Sequence, residues 1–375
     1  MKKQLSLLLV LLTLYAIPQV NAQDTPSPRM GSRMIYDPVN QRVLLFGGSY
    51  YDNRYTLYND IWSYDYTTNT WTEIDTPSKP PGRFNTPLVY DSDTHKIIVF
   101  SGFGANEQNA DMYSYDIESN RWTRLRPNPM PFARSDTSIV YDEKYNKVII
   151  FSGYVHYNDT HPRDTWAYDV PSNTWERMGP ETTPKGQYGH YFVYDSIHER
   201  TLMLGGHWVE ESSHGYTDGL WQYDYGSDTW SLVDENPPLP ERYWHTMSYN
   251  TNNGEITVFS GSQGYDDHSD DTWIFSTETD TWRQVNSENT PPSRGCSTAV
   301  YDPVNDITLI FGGMADQFYM DDLWALDSSD QWAQLTGDTS ELVEQQNSIP
   351  GYPLGSILLG LTLIVMRLPC VRLKL

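Results

Sequence analysis

Cysteine is nearly absent from this 375-residue chain, which has two, Cys296 and Cys370. Only Cys296 lies within the body of the chain, so no disulfide framework can hold that body together and a packed core must do so. Bases are scarce as well. Lys and Arg number 25 against 49 Asp and Glu, a formal net charge of −24, and five of those bases sit in the two end segments. So acidic a surface repels nucleic acid and other polyanions, and no nucleic-acid partner is expected. Helical periodicity is missing, and apolar runs longer than a strand occur only at the two ends.

The ends predict export. Lys2 and Lys3 precede an apolar stretch from Leu5 to Ile17, and Val20-Asn21-Ala22 offers a small residue for cleavage. Residues 1–22 therefore read as a signal peptide, with an uncleaved anchor as the alternative. Residues 336–351 are a polar linker. Residues 352–375 carry an apolar run to Met366 followed by Arg367, Arg372 and Lys374, a C-terminal membrane anchor or a sorting tail. Together these predict an exported, cell-surface protein that reaches the membrane through its tail. Asn158-Asp159-Thr160 is a glycosylation sequon under that expectation.

Between the ends one pattern is written six times. The closing tryptophans Trp71, Trp122, Trp175, Trp230, Trp282 and Trp332 recur about every 50 residues, a period that points to propeller blades. Each copy opens on Arg29, Arg83, Arg134, Gln187, Arg242 or Arg294, and seven residues later comes Tyr36, Tyr90, Tyr141, Tyr194, Tyr249 or Tyr301. A doublet follows: Gly47-Gly48, Ser101-Gly102, Ser152-Gly153, Gly205-Gly206, Ser260-Gly261 or Gly312-Gly313. Each copy yields four short strands. In the first, Arg29 to Tyr36 alternates, Arg42 to Phe46 is apolar, Asp60 to Asp65 alternates again, and Thr70 to Ile74 closes. The class is all-β.

These residues resemble the kelch repeat, in which a strand ending in a glycine doublet precedes a spaced Tyr and Trp. The resemblance covers Arg29 to Leu335. It implies a six-bladed kelch-type β-propeller over 23–335 with four-stranded blades, and Tyr and Trp packed between them. Departures are Ser for the first Gly in three copies, Gln187 for Arg, and Tyr113 where others have Trp. Because each copy begins at its own first strand, closure is expected without a strand borrowed from the other terminus. The tail element Pro350-Gly351-Tyr352 is similar to the sorting signals of archaeal surface proteins, with Tyr in place of Phe.

Function is sought in what the repeat leaves over. Of thirteen tryptophans only Trp208 and Trp244 fall outside the pattern. Seven of the nine histidines (His156, His161, His190, His207, His214, His245 and His268) fall in units three to five, after the glycine doublet or in the first strand. Off-pattern aromatics at a propeller face are candidate anchors for a partner side chain or a sugar ring. No metal-ligand spacing is diagnostic among these histidines and nearby acids, so neither a metal nor a cofactor is expected. The resemblance adds the positions two after each opening residue: Gly31, Asn85, Asp136, Gly189, Trp244 and Cys296. The candidate ligand-binding set is Trp208, Trp244, His207, His245, His190, Tyr188, Arg242, Arg294, Asn85 and Asp136.

The expected function is a surface binding module for a protein or glycan ligand. The alternative is a carbohydrate-active kelch enzyme. A sialic-acid-epimerase-like mouth would use Arg242, Arg294 and His245 on a carboxylated sugar. A galactose-oxidase-like copper site fits less well, since it needs a Tyr–Cys cross-link and histidine ligands, and the body offers one cysteine, Cys296, and one comparable Tyr-His pair, Tyr188 and His190.

Overall fold

The computed structural model describes residues 25–337, apart from 106, 109–110, 211–212, 218, 265–266 and 317. The predicted leader over 1–22 and tail over 352–375 lie outside the described residues. Each repeat folds into one four-stranded antiparallel sheet, giving six such sheets among the described residues. The first is built from Arg33–Asp37, Arg42–Phe46, Ile61–Asp65 and Thr70–Glu73, ordered in space as in sequence. Its second strand is an unbroken apolar run because both of its faces are covered: Val43, Leu44, Leu45 and Phe46 are all buried. The turn before it is held by Asp37, whose Oδ1 accepts from the backbone of Val39 and Asn40 at 3.1 and 3.2 Å.

The innermost strands, Arg33–Asp37, Leu88–Asp91, Ile139–Asp142, Tyr191–Asp195, Thr246–Asn250 and Thr298–Asp302, each touch the next, and the sixth touches the first. The sheets thus form a closed ring, the β-propeller architecture that the repeat implied. Within a sheet the closing Trp sits beside an aromatic of the third strand, as in Tyr64–Trp71 at 4.9 Å and Tyr168–Trp175 at 5.0 Å. The same Trp then reaches the second-strand Phe of the preceding sheet: Phe46–Trp122 at 5.0 Å, Phe100–Trp175 at 5.3 Å and Phe151–Trp230 at 4.9 Å. Phe311–Trp71, at 5.3 Å, repeats that contact between the sixth sheet and the first. Each such ring pair contributes about 0.5–1.5 kcal/mol beyond its buried area. Among the described residues no four-stranded sheet borrows a strand from another repeat, as the expected register requires.

One boundary differs from the sequence reading. The first inner strand starts at Arg33, not Arg29. The residue two after each opening position turns left-handed, with φ of +64° at Gly31, +46° at Asn85, +54° at Asp136, +71° at Gly189, +54° at Trp244 and +55° at Cys296. A strand cannot run through such a residue. The segment before the bend pairs instead with the chain after the glycine doublet, as in the antiparallel pairing of Gln187–Tyr188 with His207–Trp208.

Candidate functional site

The opening arginines precede the bends at the end of the propeller that carries the loops after the glycine doublets, and they are buried: 1% exposed at Arg29 and Arg242, 0% at Arg83, Arg134 and Arg294. Each donates to the carbonyl of the first doublet residue and forms a forked ion pair with the Asp of its own Asp-x-Trp or Asp-x-Tyr element. Arg294 reaches Asp322 at 2.6 and 2.8 Å, and Arg242 reaches Asp271 at 2.6 and 2.9 Å. The same carboxylates accept the indole N–H of Trp324 and Trp273 at 2.7 and 2.8 Å. Unit four lacks both members of the pair: Gln187 stands for Arg and Gly219 for Asp. There the Thr217 hydroxyl donates to Gln187 Oε1. The placement of Arg242 and Arg294 at a ligand-facing mouth is therefore corrected. Their charges are committed to the sheet interior, which removes the basis for holding a carboxylated sugar there.

Above the arginines the six left-handed residues hydrogen-bond to one another in a closed circle. Gly31 N–H donates to Cys296 O at 2.8 Å, Asn85 to Gly31 at 2.8 Å, and Asp136 to Asn85 at 3.4 Å. Gly189 donates to Asp136 at 2.7 Å, Trp244 to Gly189 at 2.8 Å, and Cys296 to Trp244 at 3.0 Å. Asp136 Oδ1 accepts from Asn85 Nδ2 at 2.5 Å and from Trp244 Nε1 at 3.0 Å, and Oδ2 accepts from the Ser135 hydroxyl at 2.7 Å. Burial pushes the Asp136 carboxyl above its ordinary range against the pull of these donors. Asn85 and Asp136 thus belong to a plug across the axis. Cys296 is a free, buried thiol in the same circle.

His190 and His245 lie deeper still, each 2% exposed; neither ring nitrogen of His245 has a hydrogen-bond partner, and His190 meets only the Phe151 backbone, which favours its charged form slightly. Burial lowers both imidazoles to about 3. They are interior groups and do not reach a ligand at the surface.

Tyr188, His207 and Trp244 do come together, and they gather neighbours that the sequence reading passed over. The Tyr188 hydroxyl lies 2.9 Å from His207 Nδ1, and His161 stacks on the Tyr188 ring at 5.1 Å. Trp244 lies 6.2 Å from Tyr188 and 4.4 Å from Tyr243, which stacks on Tyr216 at 5.7 Å. His207 Nε2 lies 3.4 Å from Nδ1 of exposed His214. Burial, then the neighbouring His214 and His161, lowers His207 to about 4. His161 is lowered by burial to the same value. Both are neutral at physiological pH, so the cluster is an uncharged, half-buried aromatic patch with Tyr243 buried beneath it. Exposed acids act on it, Asp159 on His161 and Asp267 and Glu241 on Tyr216, and Tyr157 in the unit-three loop is 90% exposed. Tyr188 and Tyr243 both occupy the position after the opening residue, a signal the sequence offered. Trp208 stands apart. Its indole is covered by Gly215 and by Lys185 Nζ, 3.3 Å from the ring centroid, and its N–H donates to Tyr216 O at 3.1 Å. Among the described residues no group of three His, Cys, Asp or Glu is arranged to hold a metal ion.

Residues 11–206 and 196–348 match the family described as the KLHDC2/KLHL20/DRC7 Kelch-repeats domain. The chain is 24% identical over 239 residues to Kelch domain-containing protein 10 of Xenopus tropicalis, covering 57% of this chain and 53% of that one. It is 24% identical over 305 residues to Kelch domain-containing protein 3 of Bos taurus, covering 73% of this chain and 75% of that one. The chain thus spans about half the length of the first relative and three quarters of the second. These matches correct the expected localisation. The relatives are Kelch domain-containing proteins, and no helix among the described residues is long and apolar enough to cross a membrane. The expected cell-surface localisation rested on the two apolar ends alone, which lie outside the described residues, and the kelch relatives do not support it. Asn158 is exposed, but its role as a glycosylation site depended on that export.

Proposed function

The chain belongs to the kelch-repeat family, and from that premise we propose that it is a protein-interaction propeller whose docking surface is the sector of units three to five on the glycine-loop face. The observation that carries this reading is the convergence of Tyr188, His207, Trp244, Tyr216 and Tyr243 at one place, with acidic side chains around it. Neutral aromatic rings beside carboxylates suit a partner segment rich in Lys and Arg, through cation–π contact and charge pairing. The chain-wide excess of acids works in the same direction by steering basic partners toward it. A glycan would need an open aromatic platform, and Trp208 is covered by Lys185 and its own hairpin. An enzymatic reading finds no support in Arg242 and Arg294, both saturated inside the sheets.

A random-peptide display selection on the wild-type propeller tests this. Enrichment of basic sequences whose binding falls at least roughly tenfold in Tyr188→Ala and Tyr157→Ala variants is expected, the loss of about 1.4 kcal/mol typical of an aromatic anchor. Peptides that are not basic, or that bind both variants as tightly as wild type, would overturn the assignment.

A further inference from the structure

The axis of the propeller holds a cavity on the opposite side of the hydrogen-bonded circle. A cavity of about 420 Å³ runs between the six inner strands, lined from Arg33 and Tyr191 at one end to Pro38, Glu143 and Pro303 at the other. None of the six circle residues lines it, so the circle closes one end. The other end opens among the turns that join first and second strands, away from the proposed docking surface. Its walls are mostly apolar and tyrosyl, with Leu88, Ile139, Val193 and Val300 among them.

Two charged side chains line this space, and they sit at opposite ends. Glu143 is at the mouth, where burial and the adjacent Asp142 push its carboxyl up. Arg33 is at the closed end. Its guanidinium contrasts with the five opening arginines: it has no ion pair among the described residues, one hydrogen bond of 3.3 Å to Ser32 O, and the Tyr191 ring 5.5 Å away. A guanidinium has five N–H donors, so most of this one's capacity faces the cavity unspent. A second polar group in the lining is also unspent. Ser248 is 4% exposed and its Oγ has no hydrogen-bond partner, which is costly unless something polar occupies the space. The Tyr36 hydroxyl, nearer the mouth, is buried and unpartnered as well.

We infer that this axial cavity binds a small organic monocarboxylate, inserted acid-first, with its carboxylate on Arg33 and an aromatic or branched aliphatic body along the channel wall. One guanidinium balances one negative charge. Apolar walls disfavour a strongly hydrated dianion such as phosphate. The order of charges along the axis, cation at the closed end and carboxyl at the mouth, sets the direction of entry. Ser248 Oγ supplies a further donor to the ligand. About 420 Å³ matches the smaller end of ordinary ligand pockets.

The probes are benzoate, 3-phenylpropionate, 4-methylpentanoate and hexanoate, each paired with its neutral amide, measured by ligand-observed NMR and thermal shift on the full chain. At least one acid should bind roughly tenfold or more tightly than its amide, as a charge-assisted contact requires. Arg33→Gln should erase the acid–amide difference, and Ser248→Ala should weaken the acid while leaving Tm of the free protein nearly unchanged. If no acid outperforms its amide, or if Arg33→Gln binds the acids as wild type does, the site does not exist. Arg33 has an alternative structural task, as a distant counter-charge for Asp136. That outcome would show as a stability loss in Arg33→Gln with no acid preference in wild type, and it too overturns the proposal.

Discussion

Acid should unfold this propeller earlier than its carboxylates alone dictate, because His190 and His245 are buried as neutral imidazoles whose charged forms the interior desolvates. Their folded pKa values lie at about 3, against an ordinary 6.5. A base depressed in the folded state is protonated first in the unfolded chain. Stability therefore falls as pH drops below 6.5 and keeps falling until pH reaches about 3. Each pH unit in that window costs about 1.36 kcal/mol per group. At pH 5, 1.5 units below the unfolded value, each histidine costs about 2 kcal/mol and the pair about 4 kcal/mol. The equivalent positions elsewhere carry Ser32, Thr86, Thr137 and Ser297, which supply the control. Urea unfolding at pH 7.5 and pH 5 should show wild type losing about 4 kcal/mol more than a His190→Thr, His245→Ser variant. Carboxylate effects are common to both proteins and cancel in that difference. Parallel pH profiles would refute the reasoning, since they would mean that the imidazoles are solvated or paired in the native state.

Asn85→Asp would set a second carboxylate against Asp136 Oδ1, where Asn85 Nδ2 now donates. It should destabilise by about 1–3 kcal/mol at pH 7 and much less at pH 5, the reverse of the histidine trend, in the same urea assay. Trp71→Ala removes the ring that bridges the first sheet to Phe311 of the sixth and should cost about 3–5 kcal/mol. Hydrogen exchange should then rise first in strands Arg33–Asp37 and Thr298–Asp302, and uniform exchange across all six sheets would count against a local closure role.

The fold was legible because its repeat is periodic in bulky residues: Tyr and Trp at fixed offsets announce where sheets face one another. The left-handed circle was harder to see. Gly31, Gly189, Asn85 and Asp136 are residue types that tolerate positive φ, but Trp244 and Cys296 occupy the same conformation at +54° and +55° with nothing local to announce it. Their geometry comes from neighbours in the circle. Unit four was readable in principle, since Gln187 and Gly219 depart from the pattern together, yet only the Arg–Asp fork makes the two departures a single event. Histidine content drew attention to units three to five while concealing a split in depth. His207 and His214 reach the face, whereas His190 and His245 sit beneath the circle. Tyr188 and His190, two positions apart, met different environments because the bend at Gly189, invisible in composition, separates them.

Since every sheet is spun from a single unit, the join between the sixth and the first is the one interface in the ring that no peptide bond crosses. It rests on Phe311–Trp71, on the Met34 amide bonded to Thr298 Oγ1 at 2.8 Å, and on backbone bonds such as Gly313 N–H to Arg29 O at 2.9 Å. Tension applied at residues 25 and 337 would load those contacts one after another, like a zip, and the loop would open there before any blade came apart. The same arrangement makes the six joins interchangeable in connectivity: a circular permutant cut between units three and four and linked across the present seam should rebuild the same ring with its weak point moved half a turn.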